Sequence, residues 1–238
     1  MPLMKHSLLP LCFMLILLLS ACTERSSYTS WQMMNLQGQV KSFEENTYET
    51  TKESGKWQVG EKKLYGHSKV GFDADGILLY TDIFEKGEGL VVKFKSKIEK
   101  GMIVEQAQYD KDGNLESNTV YDNESEDEST SETFDNNGNK IAGSTTYMNQ
   151  GLITKYMLEL YDAGDLVDRI VTIYQHNDQG NLISEKQTYK EEEKSFFYRY
   201  EYLEYDEQNN WTKKLVFDSE TESEPSGLIT RTYEYYRP

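Results

Sequence analysis

The stretch Tyr109-Asp110-Lys111-Asp112-Gly113-Asn114 spells a tight turn between two strands. An Asp side chain accepts bonds from backbone N–H groups at the start of a type I turn, and glycine takes the φ > 0 position that closes a hairpin. The aromatic residue before the Asp ends the incoming strand, where it can pack across to the next. The signature recurs as Phe72-Asp73-Ala74-Asp75-Gly76 and Phe134-Asp135-Asn136-Asn137-Gly138-Asn139. Weaker copies are Tyr161-Asp162-Ala163-Gly164, Asn177-Asp178-Gln179-Gly180-Asn181 and Tyr205-Asp206-Glu207-Gln208-Asn209-Asn210.

Between these turns the polarity alternates. In Leu90-Val91-Val92-Lys93-Phe94-Lys95-Ser96-Lys97-Ile98, the residues Leu90, Val92, Phe94 and Ile98 share one face, and three lysines with Val91 share the other. That is period two, a half-buried strand. Gly113 and Gly138 lie 25 residues apart and Gly138 and Gly164 lie 26 apart, a length that two strands of about eight residues and two turns fill. Other intervals, 37 from Gly76 to Gly113 and 16 from Gly164 to Gly180, are irregular and imply insertions or missing turns. The expected fold is all-β: an antiparallel meander of repeated β-hairpins over residues 36–238, forming an elongated twisted sheet.

The chain begins with Lys5 and His6, an apolar run from Leu8 to Leu19, and then Ser20-Ala21-Cys22. Residues 1–21 have the parts of a secretion signal, and the apolar run falls short of the roughly 18 residues of a spanning helix. Leu19-Ser20-Ala21-Cys22 resembles the bacterial lipobox. The resemblance implies that Cys22 is alkylated with diacylglycerol and becomes the first mature residue, with 22–35 as a lipidated, flexible tether. It also implies a cell-envelope location, on the outer membrane of a Gram-negative bacterium, with the membrane as a partner through the anchor. Cys12 leaves with the signal, so Cys22 is the one mature cysteine and no internal disulfide is available to staple the fold.

The balance of charge is acidic. Removing Lys5 with the signal leaves 24 bases against 41 acids, a net −17. Such a field repels phosphate, so no nucleic-acid partner is expected.

The repeated aromatic-Asp-x-x-Gly-Asn units resemble the YD repeats of the RHS (rearrangement hotspot) family over roughly residues 72–211. The opening Leu36-Gln37-Gly38-Gln39-Val40-Lys41-Ser42 through Tyr48 is similar to that of uncharacterised envelope lipoproteins carrying such repeats. The resemblance implies a hairpin-repeat fold. The long members curl their sheets into shells around toxins, and this chain is too short for that.

Sites of chemistry are few. Gly66-His67-Ser68-Lys69-Val70-Gly71 has one residue too many for a hydrolase nucleophile elbow and precedes a strand rather than a helix. Asp73/Asp75 and Asp110/Asp112 lack the remaining ligands of a calcium loop, and turn chemistry accounts for them. His67 and His176, the two mature histidines, stand far apart in sequence without a partnering motif. The run Asp122–Glu132, six acids with no base, reads as a solvated loop or a docking site for a basic partner. Phe196–Tyr205 and Arg231–Tyr236 are the most aromatic segments, and alternation places Tyr198, Tyr200 and Tyr202, with Tyr233 and Tyr235, as a candidate exposed platform for sugar rings or a protein.

The functional expectation is a non-catalytic envelope lipoprotein with no cofactor and no metal, a binding or structural module contacting protein or glycan. An accessory or immunity-type partner of a secreted toxin is the alternative drawn from the repeats. A hydrolase with an unrecognised carboxylate pair is the third, and it requires a pocket holding two carboxylates about 5–9 Å apart.

Overall fold

The computed structural model describes residues 28–122, 125 and 127–237. The signal, Cys22 and the first part of the tether lie outside the described residues. The first strands are β1 (Val40–Glu53), β2 (Lys56–Phe72), β3 (Leu78–Glu85) and β4 (Gly89–Glu99). Then come β5 (Met102–Asp110), β6 (Leu115–Asp122), β7 (Glu128–Asp135) and β8 (Lys140–Asn149). The second half comprises β9 (Leu152–Asp162), β10 (Asp165–His176), β11 (Leu182–Tyr189), β12 (Lys194–Tyr205), β13 (Trp211–Phe217) and β14 (Gly227–Tyr235).

Each strand pairs antiparallel with the next, as a meander should. The meander does not remain an elongated sheet: β1 pairs with β14, from Val40↔Tyr235 to Tyr48↔Leu228, and the sheet closes into a barrel. Strand twist accumulates along a meander, and pairing first with last satisfies the backbone groups that an open sheet leaves at its two edges. Local alternation is identical in an open and a closed sheet, so the hairpin pattern could not distinguish them.

The turns follow the chemistry expected of them. Asp110 Oδ1 accepts from the N–H groups of Asp112 (2.9 Å) and Asn114 (2.8 Å), and Asp135 Oδ1 does the same with Asn137 and Asn139. Asp73, Asn177 and Asp206 build the same loop. Gly76, Gly113 and Gly138 each have φ of 84°, and Asn209 (φ 68°) takes that position in the Asp206 copy. The irregular spacing has a simple cause. Gly76 to Gly113 spans β3 to β5, Gly113 to Gly138 spans β6 and β7, and Gly164 to Gly180 spans β10 alone. Turns at both ends of the barrel carry the signature, so odd and even numbers of strands intervene and nothing is inserted or missing.

One face of every strand looks inward. The row Phe43↔Val70↔Thr81↔Phe94 crosses β1 to β4, and all four residues are buried. The next row, Glu44↔Lys69↔Asp82↔Lys93, lies outside and alternates in sign. Its members pair as Lys69–Glu44 (3.3 Å) and Lys93–Asp82 (3.4 Å). The acidic run is not one loop: β7 begins at Glu128, and alternation carries Ser129 and Ser131 to the buried side while Glu132 stays outside. Small hydroxyl residues, alternating with acids, make that a strand.

Chain preceding β1 closes one end. A short helix, α1 (Ser30–Met33), starts at Thr29, whose side chain accepts from Gln32 N while Gln32 Oε1 accepts from Thr29 N. This capping box holds a helix too short to persist alone. Met33 enters a cluster with Met148, Ile153, Tyr156, Ile170 and Tyr174. Leu36, with Trp31 and Met34 beside it, enters a second cluster built on Val40, Phe43 and Phe72. Trp31 N donates to Gly76 O, Asn35 Nδ2 to Gln179 O, and Gln37 N to Asn210 Oδ1. The tether therefore does not run to residue 35. From Tyr28 onward the chain is docked, because Trp31, Met33, Met34 and Leu36 have apolar surface to bury and four hairpin turns stand around them.

Candidate binding cavity

The decisive residues come from adjacent like charges. In β13 the pair Lys213-Lys214 cannot put both ammonium groups outside, since alternation sends one inward. Lys213 faces out to Glu204 (3.2 Å), and Lys214 faces in with only 5% of its surface exposed. In β1 the pair Glu44-Glu45 splits the same way. Inward-facing Glu45 lies directly across from Arg231 of β14, whose Nε donates to Glu45 Oε2 at 2.8 Å. Both side chains are nearly out of water, at 12% and 6% exposure.

Aromatic rings line these charges. The Arg231 guanidinium lies 4.2 Å from the Phe43 ring centre and 4.1 Å from that of Trp211. The Lys214 ammonium sits 4.4 Å from Trp211 and 4.5 Å from Tyr200. Cation–π contact at desolvated sites is worth about 2 kcal/mol. Lys214 has no hydrogen-bond or salt-bridge partner among the described residues. Burial pushes its ammonium down to about 8, against the pull of Glu45. Burial also raises the Glu185 carboxyl, although the Tyr200 hydroxyl bonds to it. The hydroxyls of Tyr202 and Tyr233 are tied to the backbone, donating to Leu182 O (2.8 Å) and Trp211 O (2.9 Å).

Lys214 and Arg231 open onto a cavity of about 110 Å³ beneath the N-terminal plug. Tyr174, Tyr202, Trp211 and Leu182 form its sides, and Met33, Met34 and Asn35 close it from the plug. His176 lines it too, its imidazole pKa lowered by burial. Such a volume holds several water molecules or a small ligand.

The expected tyrosine platform is corrected by this geometry. Tyr198, Tyr200, Tyr202, Tyr233 and Tyr235 all lie on the inward face, and Phe197, Arg199, Glu201 and Glu234 take the outside. Closure of the barrel removes the second open face that a platform needs. Tyr202 alone of the five lines the cavity. Tyr235 instead bonds Asp206 and Asn210, bracing the turn that holds Gln37. Gly66, His67 and Ser68 lie inside β2, where no elbow forms, and His67 stacks on Phe84 with ring centres 4.5 Å apart. Asp73 and Asp110 spend their oxygens on turn N–H groups, and no group of three metal-ligating side chains gathers among the described residues. Lys214, Arg231, Glu45 and Trp211 were not singled out by the sequence reading; the doublets Lys213-Lys214 and Glu44-Glu45 were the available signal.

No family model and no curated protein matches the sequence. Among solved structures, a porin-like protein from Bacteroides vulgatus is 14% identical, with a TM-score of 0.48, covering 83% of this chain and 99% of that one. A porin-like protein from Bacteroides uniformis is 10% identical, with a TM-score of 0.46, covering 82% of this chain and 98% of that one. Likenesses of that size carry no inference about what this chain does.

Proposed function

We propose that the mature protein is a lipid-anchored envelope protein, held through Cys22, whose barrel stands in water and serves as a non-catalytic binding module with its ligand inside. The charged outer wall is the observation that carries this reading. Ion pairs ring the barrel's outer face: Lys41–Glu234, Lys69–Glu44, Lys93–Asp82, Lys140–Glu132, Arg169–Glu159 and Lys213–Glu204. On a lipid-facing wall each Lys or Arg near the midplane costs about 2–4 kcal/mol. The inner wall argues against a pore. Thr81 and Thr172 are fully buried and Gln106 and Gln187 nearly so, and the plug stands across one end. The cavity supplies an interior site in place of the outward tyrosine face. Its lining includes no carboxylate, so it does not furnish the carboxylate pair of a hydrolase.

Detergent phase partitioning of the full chain tests this. The wild type is expected in the detergent phase, and Cys22→Ser in the aqueous phase with its β spectrum intact. A Cys22→Ser protein that stays with detergent would place the barrel itself in the membrane. Intact-mass analysis showing cleavage elsewhere and no added lipid would remove the anchor.

A further inference from the structure

We infer that the cavity beneath the plug binds a small monocarboxylate with an apolar body, its carboxylate on Lys214 and its body against Met33, Tyr174, Tyr202 and Trp211. The inference rests on the interior-binding reading and names the ligand class. Lys214 is 95% buried, lines the cavity, and has no anion within salt-bridge distance. Taking an ammonium out of water costs several kcal/mol, and two aromatic rings return part of that. An anion delivered to the cavity completes the pair.

The chemistry of the ligand follows from what else is present. Arg231 is already paired with Glu45 at 2.8 Å, and Glu185, the other buried carboxylate acting on Lys214, is bonded by Tyr200 and makes no salt bridge to it, so Lys214 is the buried cation without an anion in contact. One free cation fits a monoanion; a dianion such as phosphate would bring an unmatched charge into an apolar wall. Met33, Met34, Ile153 and Leu182 on the lining suit a hydrocarbon body, with Tyr174, Tyr202 and Trp211 for flat contact. The chain's net charge of −16 repels anions at long range. Binding must therefore come from desolvated contact inside rather than from steering outside.

Isothermal titration of the full chain with hexanoate, 1-hexanol and inorganic phosphate tests the assignment, using wild type, Lys214→Met and Lys214→Gln. Hexanoate should bind wild type and weaken at least tenfold in both variants, while 1-hexanol binds all three proteins alike. Lys214 makes no salt bridge, so neither variant strands a carboxylate in contact with it, and a retained β spectrum checks that each variant is folded. Hexanoate binding the variants as tightly as wild type overturns the role of Lys214, and phosphate binding more tightly than hexanoate overturns the carboxylate. Should 1-hexanol bind and hexanoate not, the ligand class fails while interior binding stands. If neither binds, both fall.

Discussion

Two walls of the barrel are polar inside in different ways. Across β5 to β8 the buried lining is Gln106, Ser117, Thr119, Ser129, Ser131 and Thr146. Hydroxyls there pair sideways between neighbouring strands, Thr119 with Thr133 at 2.9 Å and Ser131 with Ser144 at 2.8 Å. Each such pair satisfies its own hydroxyls, while Gln106 Oε1 of the same wall is buried without a hydrogen-bond partner. Across β10 to β14 the lining includes Tyr174, Glu185, Tyr200, Lys214 and Arg231 with Trp211, large groups that leave a cavity and an ammonium, Lys214, with no anion in contact. The hydroxyl wall pairs strand to strand with neutral groups; the charged aromatic wall holds an ammonium that no carboxylate touches.

Breaking the buried pair should have the largest effect. Glu45→Gln leaves the Arg231 guanidinium buried without its anion and should cost about 3–5 kcal/mol, read as a lower urea midpoint. No change in midpoint would mean that water reaches Arg231 and the charged wall is not dry.

Acidity separates the walls next. Lys214 titrates near 8 in the folded protein and near 10.5 unfolded, with Glu45, Arg231 and Glu185 the charged groups around it. Between those values the unfolded chain binds more protons at this group, so stability should rise with pH from about 7.5 to 9, with Lys214 contributing about 1 kcal/mol. Above about pH 9 the trend reverses, because burial raises Tyr156, Tyr174, Tyr198, Tyr200, Tyr202 and Tyr235, which keep protons that the unfolded chain loses. Lys214→Met should abolish the rise; a rise that survives would assign it to another group.

On the hydroxyl wall, Thr119→Val strands the Thr133 hydroxyl and should cost about 1–2 kcal/mol by denaturant melt, with no effect on hexanoate binding. An effect on binding would join the two walls into one site. Smallest is Gly113→Ala, at a turn where an added Cβ meets nothing within 4 Å and only φ +84° is penalised. About 1 kcal/mol is expected, measured as a shift in Tm.

Much of the fold could be read in advance. Asp110 and Gly113 declared their turn, and Val92 and Phe94 declared the inward face of β4. Closure could not be read, because β1 and β14 lie at opposite ends of the chain and nothing local marks them as partners. The tyrosines of β12 misled for a related reason. Tyr198, Tyr200 and Tyr202 alternate with Phe197, Arg199 and Glu201, and an open sheet allows such a row to face solvent. Only closure turns it inward. Lys214 needed the same knowledge, since a lysine reads as surface until its neighbour Lys213 is seen to occupy the outer side.

The plug also bears on how a lipid-anchored molecule would stand. If Cys22 carries the proposed lipid, five residues lie between it and Tyr28, a reach of at most about 20 Å at full extension. Such an anchor would leash the plugged rim to the bilayer, with the hairpins tipped by Gly113, Gly138 and Gly164 pointing away from it. Any pull on the leash meets the plug before it meets a strand. The contacts of Trp31, Asn35 and Gln37 to three separate turns would take that load side by side, as a cork resists by its whole rim.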